Sequence, residues 1–291
     1  MGIRKISAYV VAGLTSIALV AGLTSQVMAA TGINLGTAAN FAVLAGTEIT
    51  NVPTSNITGD VGLSPAAGSN YAGLTAAEVI GTIYAVDGSG PGGSVNNPGL
   101  LTTAKNDLTT AYLEAAGRTP TQTFVAGDNQ LGGQTLTTGV YAFGHATSAN
   151  ITASSPLVLD GQGDPYAAFI FQASSDLITA SGSVVQLING AQACNVYWQV
   201  TSSTTLGTNS TFVGTIMSLT TSGMLTGADL EGRILSRNGA VNLDSNTITR
   251  PPTCAPIGGS GTGGSGGSAV PGVPNTSRRS STTPRVFTSS L

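Results

Sequence analysis

Polar and apolar positions recur along this chain at offsets that a β-strand would use. Five heptapeptides can be laid over one another: PTSNITG (53–59), TSANITA (147–153), TNSTFVG (208–214), TGADLEG (226–232) and DSNTITR (244–250). Their fourth positions are Asn56, Asn150, Thr211, Asp229 and Thr247, all polar; their fifth are Ile57, Ile151, Phe212, Leu230 and Ile248, all apolar. Neighbouring positions of such opposite character point to opposite faces of a strand, one in and one out. The last three copies recur every eighteen residues.

A second ladder follows the first: IFQAS (170–174), YWQVT (197–201), IMSLT (216–220) and ILSRN (234–238). Stacked this way, Phe171, Trp198, Met217 and Leu235 form a core-like row. Gln172, Gln199, Ser218 and Ser236 then form a polar row, and Ser174, Thr201, Thr220 and Asn238 another. A short, fixed repeat is the mark of a solenoid, in which each coil buries its inner face by stacking on the next. Eighteen residues divide into three short sides, with Gly214 and Gly232 at corners where a side chain would obstruct the bend. The expected fold is all-β dominated: a discontinuous, triangular parallel β-helix. One long α-helix breaks the pattern at about residues 99–117, where Leu101, Ala104, Leu108, Ala111, Tyr112 and Ala115 share a face at helical spacing. Asn97 can cap its start, Pro98 suits the first turn and Gly117 the stop. A single amphipathic helix has to lie against something, so it is expected alongside the stack, with a loop-rich stretch at about 64–98 covering one open end.

Composition narrows the function classes. Of 291 residues only 8% are charged, the net charge is −3, and 41% are apolar. Ten scattered Lys and Arg give no basic surface for nucleic acid. Arg4 and Lys5 precede an apolar run and the small-residue exit VMA (27–29), so residues 1–29 read as a secretory signal peptide. The mature form is then expected outside the cell, without a membrane anchor. In that compartment the pair Cys194 and Cys254 reads as a disulfide. His145 is the one histidine, no metal-ligand spacing is present, and no cofactor is expected. The solenoid domain is expected over 30–256. Beyond it, 257–291 is a Gly/Ser/Thr/Pro-rich tail that cannot bury enough apolar surface to fold.

The segments LGTAANFAVLAGTEITN (35–51), ITGDVGLSP (57–65), LVLDGQGDPYAAFIFQ (157–172), NGAQACNVYWQV (189–200) and NGAVNLDSNTIT (238–249) resemble the microbial ice-binding proteins. That resemblance spans roughly residues 33–254. It implies secretion, a right-handed discontinuous β-solenoid with one parallel helix, no cofactor, and adsorption to the ice crystal surface. Thermal hysteresis and inhibition of ice recrystallisation would follow. A monomer is expected.

Full charges keep their own hydration shells, so the less charged ladder is the preferred ice-binding face: Thr47, Ser174, Thr201, Ser218, Thr220, Ser236 and Asn238. The alternative face carries Thr208, Thr211, Thr226 and Thr247 beside Asp229, Glu231, Asp244 and Arg250. Two other classes of function use the same architecture. A surface adhesin or matrix protein could use the solenoid as a stalk and the tail as a tether. A polysaccharide-active β-helix enzyme would need paired carboxylates, for which Asp160, Asp164 and Asp176 are the candidates. The Gly/Asp/Pro cluster around the first two reads more simply as a turn.

Overall fold

In-register stacking produces the alternation of the heptapeptides. In the computed structural model, which describes residues 30–125 and 127–254, Thr211 pairs with Asp229, Asp229 with Thr247 and Thr247 with Asn56. Phe212, Leu230, Ile248 and Ile57 line up one position on; the first row is exposed and the second buried. One heptapeptide departs from this stack. Asn150 of TSANITA pairs with Ile178 on a different side of the molecule. The expected signal peptide and the expected tail both lie outside the described residues.

Every strand pairing is parallel, and the strands fall on three sides. The longest side runs from Val95–Asn96 at one end to Gln122–Phe124 at the other. A second side has seven strands, from Ala149–Ile151 to Tyr71–Ala72. The third comprises Thr135–Leu136, Leu157–Asp160 and Val185–Ile188, continued across a bridge from Val184 to Thr211. Strands Thr211–Ser218 and Asp229–Ser236 each serve two sides, bending at the paired Gly214 and Gly232. Gly214 has φ +115, and a Cβ on Gly232 would sit 1.9 Å from the Gly214 carbonyl oxygen, so neither corner admits a side chain.

Stacking order departs from chain order. Phe41–Ala45 lies between Asp229–Ser236 and Asp60–Leu63, so the first coil rests on the last. The 64–98 stretch, expected as a covering loop, supplies the end strands of all three sides: Tyr71–Ala72, Val79–Ile80 and Val95–Asn96. The chain must then resume at the opposite end, at Gln122–Phe124. The helix Pro98–Gly117 makes that return. Its twenty residues span about 30 Å. Six interstrand spacings, from Ile83–Ala85 to Phe169–Ala173 (strands it touches on either side), measure about 29 Å.

Asn97 caps this helix by accepting a hydrogen bond from the Leu100 amide at 3.1 Å. The buried residues are Leu101, Ala104, Leu108, Ala111, Tyr112 and Ala115, the face expected from their spacing. They pack on Leu44, Val140, Ile170, Tyr197, Met217 and Leu235, which point outward from the long side. Burying side chains of this size stabilises by about 1.5–3 kcal/mol each. Polar ties fix the position. Lys105 Nζ donates to the carbonyls of Ser236 (2.7 Å) and Arg237 (2.6 Å), and Gln172 Nε2 to those of Ala115 (2.7 Å) and Arg118 (2.8 Å).

Inside the coil, aromatic rings stack from layer to layer. Tyr141 and Phe171 lie 5.3 Å apart, Phe171 and Trp198 3.9 Å, and Trp198 and Phe212 5.0 Å. Cys194 and Cys254 are bonded, with Cα atoms 5.6 Å apart, joining the last described residue to the turn before Val196–Val200.

Near the Tyr71–Ala72 end, Glu78 is buried beneath the final coil. Its carboxylate accepts from the Ser55 amide and Asn51 Nδ2 on one oxygen, and from the Thr75 amide and hydroxyl on the other, all at 2.9 Å. Burial pushes its pKa up, but these four hydrogen bonds outweigh it and hold the carboxyl below its ordinary value. A depressed pKa contributes stability above the unfolded value of about 4.3 and loses it as pH falls through the folded value. Thermal unfolding followed from neutral pH into the acid range is therefore expected to show a falling midpoint. Glu78→Gln should flatten part of that fall; a profile identical to wild type would remove Glu78 from the account.

Candidate functional site

The second ladder is out of register by one residue between its two halves. Phe171 pairs with Trp198, but Trp198 pairs with Ile216 and Ile216 with Ile234, not with Met217 and Leu235. A slip of one residue transfers every side chain to the other face. Val200, which points into the coil, is thus the partner of Ser218, and Ser218 of Ser236. Both serines are 0% exposed, which corrects their assignment to a surface.

They belong to an internal line of hydroxyls beneath a corner. Thr204 and Ser218 hydroxyls lie 2.9 Å apart, Ser222 donates to Ser218 at 2.8 Å, and Ser236 to Ser222 at 3.0 Å. Each hydroxyl satisfies another where no bulk water reaches. Ser218→Tyr is accordingly expected to break the fold: circular dichroism should show loss of cooperative unfolding at temperatures where Thr220→Tyr remains native. A well-folded Ser218→Tyr protein would contradict the burial.

The other preferred residues do reach solvent, but on a bend. Thr47, Thr201, Thr220 and Asn238 are exposed in turns linking the long side to the seven-stranded side, stacked through bonds such as Thr220 N to Ser202 O at 3.2 Å. Ser174 is half-buried, and its hydroxyl is committed to the Gly144 carbonyl. These residues make a ridge; the flat outer surface of the long side lies under the helix.

Of the alternative set, Thr211 and Thr247 are exposed on the third side, with Asp229 between them in the same row. Thr208 and Thr226 sit in turns, and Thr226 donates to the Asp244 carboxylate. The next outward row carries Glu231, and Pro251 and Pro252 border the same cleft as Glu231 and Thr249. Asp160 ends the strand Leu157–Asp160 and Asp164 lies in the loop after it: Asp160 Oδ1 accepts from the Gln162 amide, and Asp164 Oδ1 from the Tyr166 amide, each at 2.8 Å. Asp176 Oδ1 accepts from the Ser203 amide at 3.0 Å. Among the described residues no cluster of metal-ligating side chains occurs, and no helix is long and apolar enough to cross a membrane.

The seven-stranded side is different in kind. Its central outward row pairs, strand to strand, Asn150, Ile178, Thr205, Gly223, Asn242, Thr50 and Ala72, without one charge. Their inward neighbours, among them Leu177, Thr204, Ser222, Val241 and Ile49, are buried. Thr50 donates to Asn242 Oδ1 at 2.9 Å along the row. Apolar groups are exposed on the same side: Ile178 (45%), Leu225 (46%) and Val52 (58%). Among the described residues nothing packs on it as the helix does on the long side. Sequence reading placed Asn150 in another ladder and passed over Thr205, Gly223, Asn242 and Thr50. Strands of three or four residues show only one or two outward positions each. Their available signal was the spacing Thr205, Gly223, Asn242, at eighteen and nineteen residues.

Among the described residues the fold is a parallel β-solenoid with a helix strapped to one side and another side left open, its central outward row without charge. Residues 43–249 match the ice-binding-like family, and the chain belongs to it. It is 42% identical over 219 residues to an ice-binding protein of Flavobacterium frigoris, covering 75% of this chain and 76% of that one. It is 39% identical over 220 residues to one from a Colwellia species, covering 75% and 84%. Among solved structures, an ice-binding protein from an Antarctic biological consortium shares 40% identity at a TM-score of 0.67, covering 77% of this chain and 93% of that one. An ice-binding domain from Shewanella frigidimarina shares 34% at 0.68, covering 77% and all of its own length.

Proposed function

We propose that this protein is exported and adsorbs to ice through its seven-stranded side, producing thermal hysteresis and inhibiting recrystallisation as a monomer. The coils are taken to wind right-handedly with a triangular section, as parallel crossovers favour. The observation that carries the reading is the uncharged row from Asn150 to Ala72 on a side that no other element among the described residues covers. Its seven positions span about 29 Å at the interstrand spacing, a repeat close to that of oxygen atoms in ice. Hydroxyl and amide groups can anchor water at that repeat. The methyls of Thr50 and Thr205, with Ile178, Leu225 and Val52, hold neighbouring water in cages. β-Branched side chains are stiff at χ1, so little order remains to be imposed on contact.

The direct experiment places the purified mature chain around a single ice crystal in a nanolitre osmometer. Faceting and a gap between melting and growth temperatures are expected; rounded crystals with no gap would defeat the proposal. A gain is expected as well. A Cβ at Gly223 would meet only the Thr204 carbonyl, at 3.9 Å. Gly223→Thr should therefore fold normally, extend the hydroxyl row between Thr205 and Asn242, and widen the hysteresis gap. A narrower gap in the folded variant would count against the row as the contact surface.

A further inference from the structure

Away from the seven-stranded side, Arg233 points out from the long side beside the disulfide and is only 5% exposed. Its Nε donates to the Ala39 carbonyl at 3.0 Å and its Nη1 to the Thr215 hydroxyl at 3.3 Å. No acceptor among the described residues reaches its Nη2. No carboxylate does either: the ion pair found among those residues joins Arg118 to Glu114. The largest charge effect on it comes from a second cation, Arg250, whose Nε is buried without a partner. Burial, reinforced by Arg250, pulls the Arg233 pKa down to about 10. A buried guanidinium with no counter-ion is costly, and proteins rarely leave one so.

The guanidinium borders a cavity of about 250 Å³. Ile33, Leu35, Ala39 and Pro252 give it apolar walls, and the Cys194–Cys254 bond closes one edge. Tyr197 also lines it, its ring buried. We propose that this cavity binds a small organic carboxylate, forked by the open edge of the Arg233 guanidinium, with its short apolar stem against Ile33, Leu35 and Pro252. A planar guanidinium matches a carboxylate through two parallel hydrogen bonds, which a spherical halide cannot use. The apolar walls favour a carboxylate with a stem over sulfate or phosphate, which would have to shed water against hydrocarbon. The volume, small for a ligand pocket, limits the occupant to a few carbon atoms.

The test titrates the full mature chain with sodium butyrate, acetate, sulfate or chloride at fixed ionic strength. It reads the unfolding midpoint and the NMR signals of Ile33 and Tyr197. Butyrate should raise the midpoint saturably, acetate more weakly, and sulfate and chloride should add nothing. The Ile33 and Tyr197 shifts should saturate at the same butyrate concentration. In Arg233→Met the response should fall at least tenfold. Should that variant not fold, the wild-type NMR titration decides alone: unmoved Ile33 and Tyr197 signals overturn the proposal. Equal responses to butyrate and sulfate would also overturn it, in favour of a general anion site. Ice shaping in saturating butyrate should stay unchanged, because the cavity opens away from the seven-stranded side.

Discussion

Thr205→Tyr is expected to abolish most of the thermal hysteresis while leaving the unfolding midpoint within a degree or two of wild type. Thr205 is exposed in the middle of the uncharged row, between Ile178 and Gly223. A phenol there raises one point of a flat surface and holds neighbouring positions away from the crystal. Tyr is well accommodated in strands, so the fold should tolerate it. Weak contacts made in parallel lose more than their share when the array cannot lie flat. Osmometry and differential scanning calorimetry on the same sample separate the two effects. Full hysteresis in the folded variant would exclude this side as the contact surface.

The largest expected loss of stability comes from Trp198→Ala. Trp198 is fully buried, stacked 3.9 Å from Phe171 and 5.0 Å from Phe212, with its Nε1 donating to the Val213 carbonyl at 3.0 Å. Removing it takes the central ring from a stack that links successive coils. A change of this size in a core costs about 3–5 kcal/mol. The orphaned carbonyl adds about 1–3 kcal/mol. Urea denaturation should show a midpoint shifted well below wild type. A change under about 1 kcal/mol would mean that the coils are held together by something other than their interior, since ordinary surface substitutions fall in that range.

Much of this architecture is written in local patterns that a strand or helix cannot escape. Thr211, Asp229, Thr247 and Asn56 do form one outward row, and Gly214 and Gly232 do mark the bend. The buried face of the helix follows from its spacing alone. Register between coils of unequal length is another matter. From Trp198 to Ile216 is eighteen residues, but from Phe171 to Trp198 is twenty-seven, and nothing local fixes where the longer coil realigns. A ladder slipped by one residue moved Ser218 and Ser236 from the interior to an imagined surface. The seven-stranded side was hidden for a related reason. Three-residue strands such as Thr204–Leu206 and Ser222–Met224 show a single outward residue each. Asn150, Ile178, Thr205, Gly223, Asn242, Thr50 and Ala72 share no chemistry that would align them before the coils stack. What unites them is lack of charge, which only a three-dimensional surface reveals.

The decisive measurement coats a single ice crystal with fluorescently labelled protein and compares substitutions of equal size on different sides. Wild type and Thr211→Tyr, altered on the third side, should both light the crystal. Asn242→Tyr, altered in the uncharged row, should leave it dark while remaining folded. A bright crystal with Asn242→Tyr and a dark one with Thr211→Tyr would contradict the account and move the contact to the third side.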